Sequence, residues 1–199
     1  TTNSLAISNS SQWLNVRFGV SNMDNTGIIP NSDNQRNSYN LTASSNLNNK
    51  LTLSTSVNFV HSYAKNRPAS NRGTNPLDAA YNTPASINIM DIKDYKLPGN
   101  QVFNFSDDYA NPWFMANEVN NSYSRYRLYG NMALEYNITP DFTIRSSYNL
   151  NTYNQTQETK MATGYSREPN NGTYGIAKSD VLETNVDFLA NYKKKWESI

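Results

Sequence analysis

Residues 51–59 run Leu51-Thr52-Leu53-Ser54-Thr55-Ser56-Val57-Asn58-Phe59, apolar at 51, 53, 57 and 59 and polar at 52, 54, 56 and 58. A period of two places alternate side chains on opposite sides of a pleated strand, so this stretch predicts a strand with one apolar and one polar face. The same signature predicts further strands over residues 4–8, 13–23, 37–47, 123–137, 142–153 and 181–192, with the strand begun here reaching residue 63. Most of these are near or beyond the roughly 9 to 11 residues with which a tilted strand crosses a bilayer.

The apolar phase continues through Leu14, Val16, Phe18 and Val20, then Leu41, Ala43 and Leu47, then Tyr126, Leu128, Met132 and Leu134. Farther on it holds Phe142, Ile144, Tyr148 and Leu150, then Leu182, Val186, Phe188 and Ala190. The charged strand residues Arg17, Arg125, Arg127, Glu135, Arg145, Glu183 and Asp187 all take the opposite phase, among Asn, Ser and Thr. An Arg or Lys facing lipid at mid-bilayer costs ~2–4 kcal/mol, so the polar phase reads as a lumen.

Proline cannot donate to a strand ladder, and all eight prolines (Pro30, Pro68, Pro76, Pro84, Pro98, Pro112, Pro140 and Pro169) fall between these strands. Glycines 27, 73, 99, 164, 172 and 175 punctuate the same connections, leaving Gly19 and Gly130 within strands. Tight turns at residues 9–12, 48–50 and 138–141 alternate with long connections at 24–36, 64–122 and 154–180. Short turns at one end and long loops at the other are the asymmetry of a membrane barrel. The expected fold is therefore all-β: about seven antiparallel transmembrane strands of a larger barrel, with long extracellular loops. Trp13, Tyr136, Phe142, Tyr192 and Trp196 fall where one interfacial girdle would lie, and Tyr39, His61 and Tyr126 near the opposite rim.

Composition agrees. Hydrophobic residues make up 37% of the 199 and charged residues 17%, with no cysteine, so neither disulfides nor thiolate metal sites are available. A net charge of +1, with no basic run before Lys193-Lys194-Lys195, leaves no electrostatic footprint for nucleic acid. Mean hydropathy is −0.75, which a barrel tolerates because half of each strand and all its loops are polar.

Residues 22–33, Asn-Met-Asp-Asn-Thr-Gly-Ile-Ile-Pro-Asn-Ser-Asp, are followed by Arg36, Tyr39-Asn40-Leu41 and Lys50-Leu51. Asn66-Arg67-Pro68, the run Asn75-Pro76-Leu77-Asp78-Ala79-Ala80-Tyr81-Asn82-Thr83-Pro84, the run Asn111-Pro112-Trp113-Phe114-Met115-Ala116-Asn117-Glu118 and the hairpin over residues 134–142 come next in order. This ordered set resembles the barrel of SusC/RagA-type TonB-dependent transporters of Bacteroidetes over nearly the whole chain. The resemblance implies a partial barrel without the plug domain and remaining strands, in the bacterial outer membrane. It further implies active uptake of an oligosaccharide or peptide, with a SusD-like lipoprotein as lid. The TonB-ExbB-ExbD complex would act through parts of the transporter lying outside this chain.

The connection over residues 64–122 is too long to be structureless and is the expected carrier of function. Pro76 and Pro112 each predict the first turn of a short helix, the second capped by Asn111. Stacking aromatics and planar amides suit a glycan, which makes Phe103, Asn104, Phe105, Tyr109, Asn111 and Trp113 candidates for substrate or lid contact, or for packing the loop on itself. Arg125, Arg127 and Arg145 either meet an anionic substrate or pair across strands with Glu135 and Asp187. Asp107-Asp108 with Asp91 and Asp94 match no calcium loop, and His61 is the only histidine, with no local Ser-His-Asp motif, so no cofactor, metal or enzymatic role is expected. Two other readings remain open: a soluble all-β carbohydrate-binding or adhesin module, in which the apolar phase would form a dry core, and an outer-membrane barrel hydrolase, which would need a catalytic dyad at His61.

Overall fold

The structure is a computed structural model that describes residues 1–68, 74–105, 109–164 and 171–194. Seven long strands, β1 (Thr2–Ser10), β2 (Leu14–Thr26), β3 (Asp33–Asn46), β4 (Leu51–Ala64), β7 (Val119–Thr139), β8 (Phe142–Met161) and β9 (Thr173–Tyr192), form one sheet in the order β1-β2-β3-β4-β7-β8-β9. All neighbours are antiparallel, and every strand lies beside the next long one in the chain, as in an up-and-down barrel wall. Between β4 and β7 the chain makes α1 (Pro76–Tyr81), a ribbon of β5 (Lys96–Leu97) and β6 (Gln101–Val102), and α2 (Pro112–Glu118).

The expected strands are all present but longer. β8 and β9 absorb most of the connection expected over residues 154–180, and Gly175 lies inside β9 rather than in a loop. The β8 extension is polar on both phases (Asn154, Gln155, Thr156, Gln157, Glu158) and so carries no hydrophobic period, while Gly175 and Lys178 interrupt the short apolar alternation of Tyr174 and Ile176 in the β9 extension; ladder pairing makes both of them strand. The 24–36 connection likewise shrinks to residues 27–32. At the opposite end the tight turns are closed locally. Ser11 Oγ accepts from Leu14 N at 3.1 Å, Asn48 Oδ1 from Lys50 N at 2.8 Å, and Thr139 Oγ1 from Asp141 N at 3.3 Å.

Residues paired across an antiparallel ladder share a face, so the registers assign both phases. Row by row, Tyr39, Phe59, Leu128, Thr152 and Leu182 share one face, and Ser38, Val60, Arg127, Tyr153 and Val181 the other. The apolar phase is open, with Met132 53%, Val186 58% and Phe188 78% exposed. Buried residues of the large sheet (Gly19, Val60, Ala64, Val119 and Ala133) all sit on the polar phase, where long neighbours converge over small ones. That crowding is what a sheet curling toward its polar side produces. No second large sheet covers the apolar phase among the described residues.

Arg17, Arg125, Arg127, Glu135, Arg145, Glu183 and Asp187 all lie on the polar phase, as expected. From the row of His61 and Tyr126 toward the loops, charges occupy both phases, beginning with Asp180 in that row. Tyr39, Phe59, Tyr126, His61 and Tyr63 form a continuous stack on the apolar phase there, closest between His61 and Tyr126 at 4.1 Å. Trp13 at the opposite end is exposed, and Trp196 lies outside the described residues.

Gly130 sits opposite Val57 where the backbones of β4 and β7 approach closely. A Cβ there would lie 2.1 Å from the Ser56 carbonyl oxygen and 2.9 Å from Val57 Cα. Gly130→Ala is expected to force the two strands apart and cost about 1–3 kcal/mol, read as a lowered denaturant midpoint, whereas an unchanged midpoint would refute the close approach.

Candidate functional site

The polar phase and the long connection that folds onto its loop end make up the site. Asn66 is buried and stitches the start of the connection to two strands, β3 and β7. Its Oδ1 accepts from Asn121 N at 2.9 Å, its carbonyl accepts from Asp33 N at 3.3 Å, and its N–H donates to Asp33 Oδ1 at 3.2 Å. α1 and α2 begin as the Asn-Pro pairs predict: Asn75 Oδ1 accepts from Leu77 N at 3.0 Å and Asn111 Oδ1 from Trp113 N at 2.9 Å. Phe114 and Met115 of α2, with Tyr95 and Ala110, pack on Val119, with Met161 against the cluster. Val119 and Met161 are ladder partners on the polar phase, so the connection turns inward over that face.

Of the contact candidates in this connection, Asn111 has no exposed surface, and its amide is consumed by the loop itself. Its Nδ2 donates to the Ile92 carbonyl at 2.8 Å and the Phe103 carbonyl at 3.1 Å. Asn104 supports it, accepting from Asn111 N at 2.9 Å. Trp113 is half-buried, donating its indole N–H to the Ile89 carbonyl at 2.7 Å, with Lys93 Nζ 5.3 Å from the ring centroid. Phe103 is exposed, while Phe105 and Tyr109 are half-buried. The structure thus joins Asn104, Asn111 and Trp113 in one framework and leaves Phe103 free to meet a ligand.

Arg125 and Arg127 share the polar face of β7. The Arg125 guanidinium stacks on Tyr153 at 3.9 Å, and that of Arg127 on Tyr129 at 4.7 Å. Arg127 Nε donates to Asn151 Oδ1 at 2.9 Å, and Asn151 Nδ2 donates to Glu183 at 2.6 Å. Asp187 is held by Asn149 and Ser147 rather than by an arginine. Arg145 stands opposite Glu135 near the tight-turn end, far from the other two, and no ion pair joins them. Two arginines that the sequence reading did not single out belong with Arg125. Arg36 was missed because the expected strand began at residue 37, and Arg67, which stacks on Tyr123 at 4.1 Å, because it lies in a connection.

The Tyr95–Lys96–Glu118 cluster was also missed, and no local motif announces it. Glu118 Oε1 is 2.8 Å from Lys96 Nζ and accepts from Tyr95 Oη at 2.9 Å. The Lys96 contact holds the carboxyl below its usual 4.5, outweighing partial burial, while burial and then Glu118 push the Tyr95 hydroxyl up to about 12. A depressed carboxyl stabilises the docked loop fully above its usual value and loses that contribution as pH falls through the lowered one. Amide exchange over residues 95–118, corrected for its intrinsic rate, is expected to stay level from pH 8 to pH 5.5 and to rise below about pH 4.5. Glu118→Gln should abolish that pH dependence; a rise that persists in the variant would clear Glu118 of it.

His61 Nε2 lies 3.5 Å from Ser124 Oγ on the apolar phase, with the ring stacked against Tyr126 and against Tyr63. Asp107 and Asp108 lie outside the described residues, and no group of three or more metal-ligating side chains occurs among those described.

No family model and no curated protein matches the sequence. Among solved structures, the chain is similar to a chain of the RagAB peptide importer in its closed-closed state, with TM-score 0.70 and 14% identity over 98% of this chain and 22% of that one. It is also similar to a chain of the same importer in its open-open state, with TM-score 0.59 and 14% identity over 94% and 21%. The chain therefore spans about a fifth of the length of these neighbours, and the likeness establishes a shared fold.

Proposed function

We propose that this chain is part of the barrel wall of an outer-membrane importer that moves an oligomeric nutrient, an oligosaccharide or a peptide, inward under TonB drive. The observation that carries the reading is the open apolar phase. Between the Tyr136 row and the Tyr126 row it spans ten residues, about 33 Å along the strand and about 23 Å along the normal at a tilt near 45°, close to the ~25 Å apolar band of such barrels. A soluble binding module would bury this face under a second sheet. The fold shared with a peptide importer and the sequence resemblance to SusC/RagA-type transporters support the same conclusion.

In this reading the tight turns lie in the periplasm, and the inward-folded connection narrows the extracellular mouth. A SusD-like lipoprotein would close over that mouth, and Phe103, exposed beside it, would meet the lid or the cargo. TonB-ExbB-ExbD would act on a plug elsewhere in the full protein. No catalytic step is assigned: a serine hydrolase needs a third group orienting its histidine, and among the described residues the polar contact of His61 is with Ser124.

The test is uptake by cells producing the full-length protein, supplied with fluorescent oligosaccharide and peptide pools in the presence and absence of a protonophore. Energy-dependent loss of one pool from the medium is the expected result. A protein that fails to fractionate with the outer membrane, or uptake that ignores the protonophore, would refute the proposal.

A further inference from the structure

The ladder registers bring together positive charge that no local motif reveals. Arg36 and Arg125 both pair with Ser62, so they flank one residue in a single row of the polar face, with their Cα atoms about 10 Å apart. Arg127 lies two residues down β7 on the same face, about 7 Å away. Arg67 reaches the row above, over Tyr123. No ion pair reaches any of the four among the described residues. The acids of this face lie toward the tight turns: Glu183 is bound to Asn151, Asp187 to Asn149, and Glu135 stands ten residues from Arg125 along β7. The Nε of Arg125 is buried without a hydrogen-bond partner.

Long arginines in a barrel ordinarily find carboxylates across the sheet, and only Arg127 approaches that, through Asn151. The guanidiniums of Arg67, Arg125 and Arg127 lie over tyrosine rings, and a planar guanidinium held there keeps N–H donors in its own plane for a further partner. The paired terminal N–H groups of a guanidinium suit a two-pronged contact with a carboxylate. The spacing of roughly 7 to 10 Å matches single negative charges spread along an extended chain better than one dense dianion.

We propose that this row binds cargo bearing carboxylates, so that the importer selects anionic oligomers. The inference rests on the transport reading above and adds the charge class of the cargo, which acidic peptides and uronate-containing oligosaccharides share.

The test uses the purified full-length protein and two matched probe pairs: a Glu-rich decapeptide with its Gln counterpart, and trigalacturonate with maltotriose. Binding is measured by calorimetry at low and high salt. The expected result is at least about tenfold tighter binding of the acidic member of one pair, the pair identifying the source. That preference should weaken with salt and collapse toward unity in Arg36→Gln/Arg125→Gln, while Arg17→Gln, at the other end of the face, retains it. Partial recovery in Arg125→Lys would separate charge recognition from a folding defect. Equal binding within both pairs, no binding by any probe, or a preference that survives in the double variant would overturn the inference. Equal binding alongside energised uptake would leave transport standing. A preference in a protein that supports no uptake would instead uphold the site and remove the transport reading.

Discussion

Met132→Arg is expected to cost the folded protein about 2–4 kcal/mol in lipid, whereas Asn131→Arg, one residue away, should cost less than ~1 kcal/mol. Met132 lies midway along the apolar phase of β7, with half of its side chain exposed, so an arginine there would face hydrocarbon far from either interface. Asn131 occupies the polar phase, level with Ser56 and Asn149, where a guanidinium finds water and amide partners. Since adjacent residues share backbone environment and strand position, the difference between the two variants isolates the direction of the side chain. Folded fraction across a urea series in lipid vesicles reads it directly. Similar costs for both would mean that the two faces meet similar surroundings, and the membrane assignment would fall.

Asn111→Ala is expected to unfold the inward-turned connection while leaving the sheet intact. The variant loses an N-cap worth about 1 kcal/mol and deprives two carbonyls, those of Ile92 and Phe103, of a buried donor at about 1–3 kcal/mol each. A loss on the order of 3–7 kcal/mol is large against the local stability of so short a segment. None of the ladder hydrogen bonds of the seven strands passes through Asn111. Exchange over residues 95–118 should therefore approach the unprotected rate while strand amides keep their protection. Unaltered loop protection would show that Phe114 and Met115 alone hold the connection in place. Asn111 was read in sequence as able to meet a glycan or to pack the loop, and its side chain is engaged by Ile92, Phe103 and Trp113, all within the connection.

How much of this was legible without coordinates differs by element. The seven strands, their two phases and both Asn-Pro helices follow from local rules: alternation sets which way a side chain points, and proline sets where a helix begins. The strand extensions over 154–161 and 173–180 were not legible, because the first is almost wholly polar on both phases and the second has only Tyr174 and Ile176 in alternation around Gly175, so their strand character comes from pairing with each other. The Tyr95–Lys96–Glu118 cluster escaped for a related reason, since Tyr95 and Glu118 are 23 residues apart and only the folding of the connection brings them together.

The sequence by itself determined an all-β wall with an apolar and a polar side, because a two-residue period acts within each strand and needs no partner. It also determined that strand charges between the turns and the row of Tyr126 keep to the polar side. Only the tertiary structure decided which residues share a row across residues 65–118, because the β4–β7 register is set by ladder hydrogen bonds and packing rather than by a tight turn. That register puts Arg125 beside Ser62 and Arg36, and the packing of Phe114 and Met115 on Val119 turns the long connection inward over the same face.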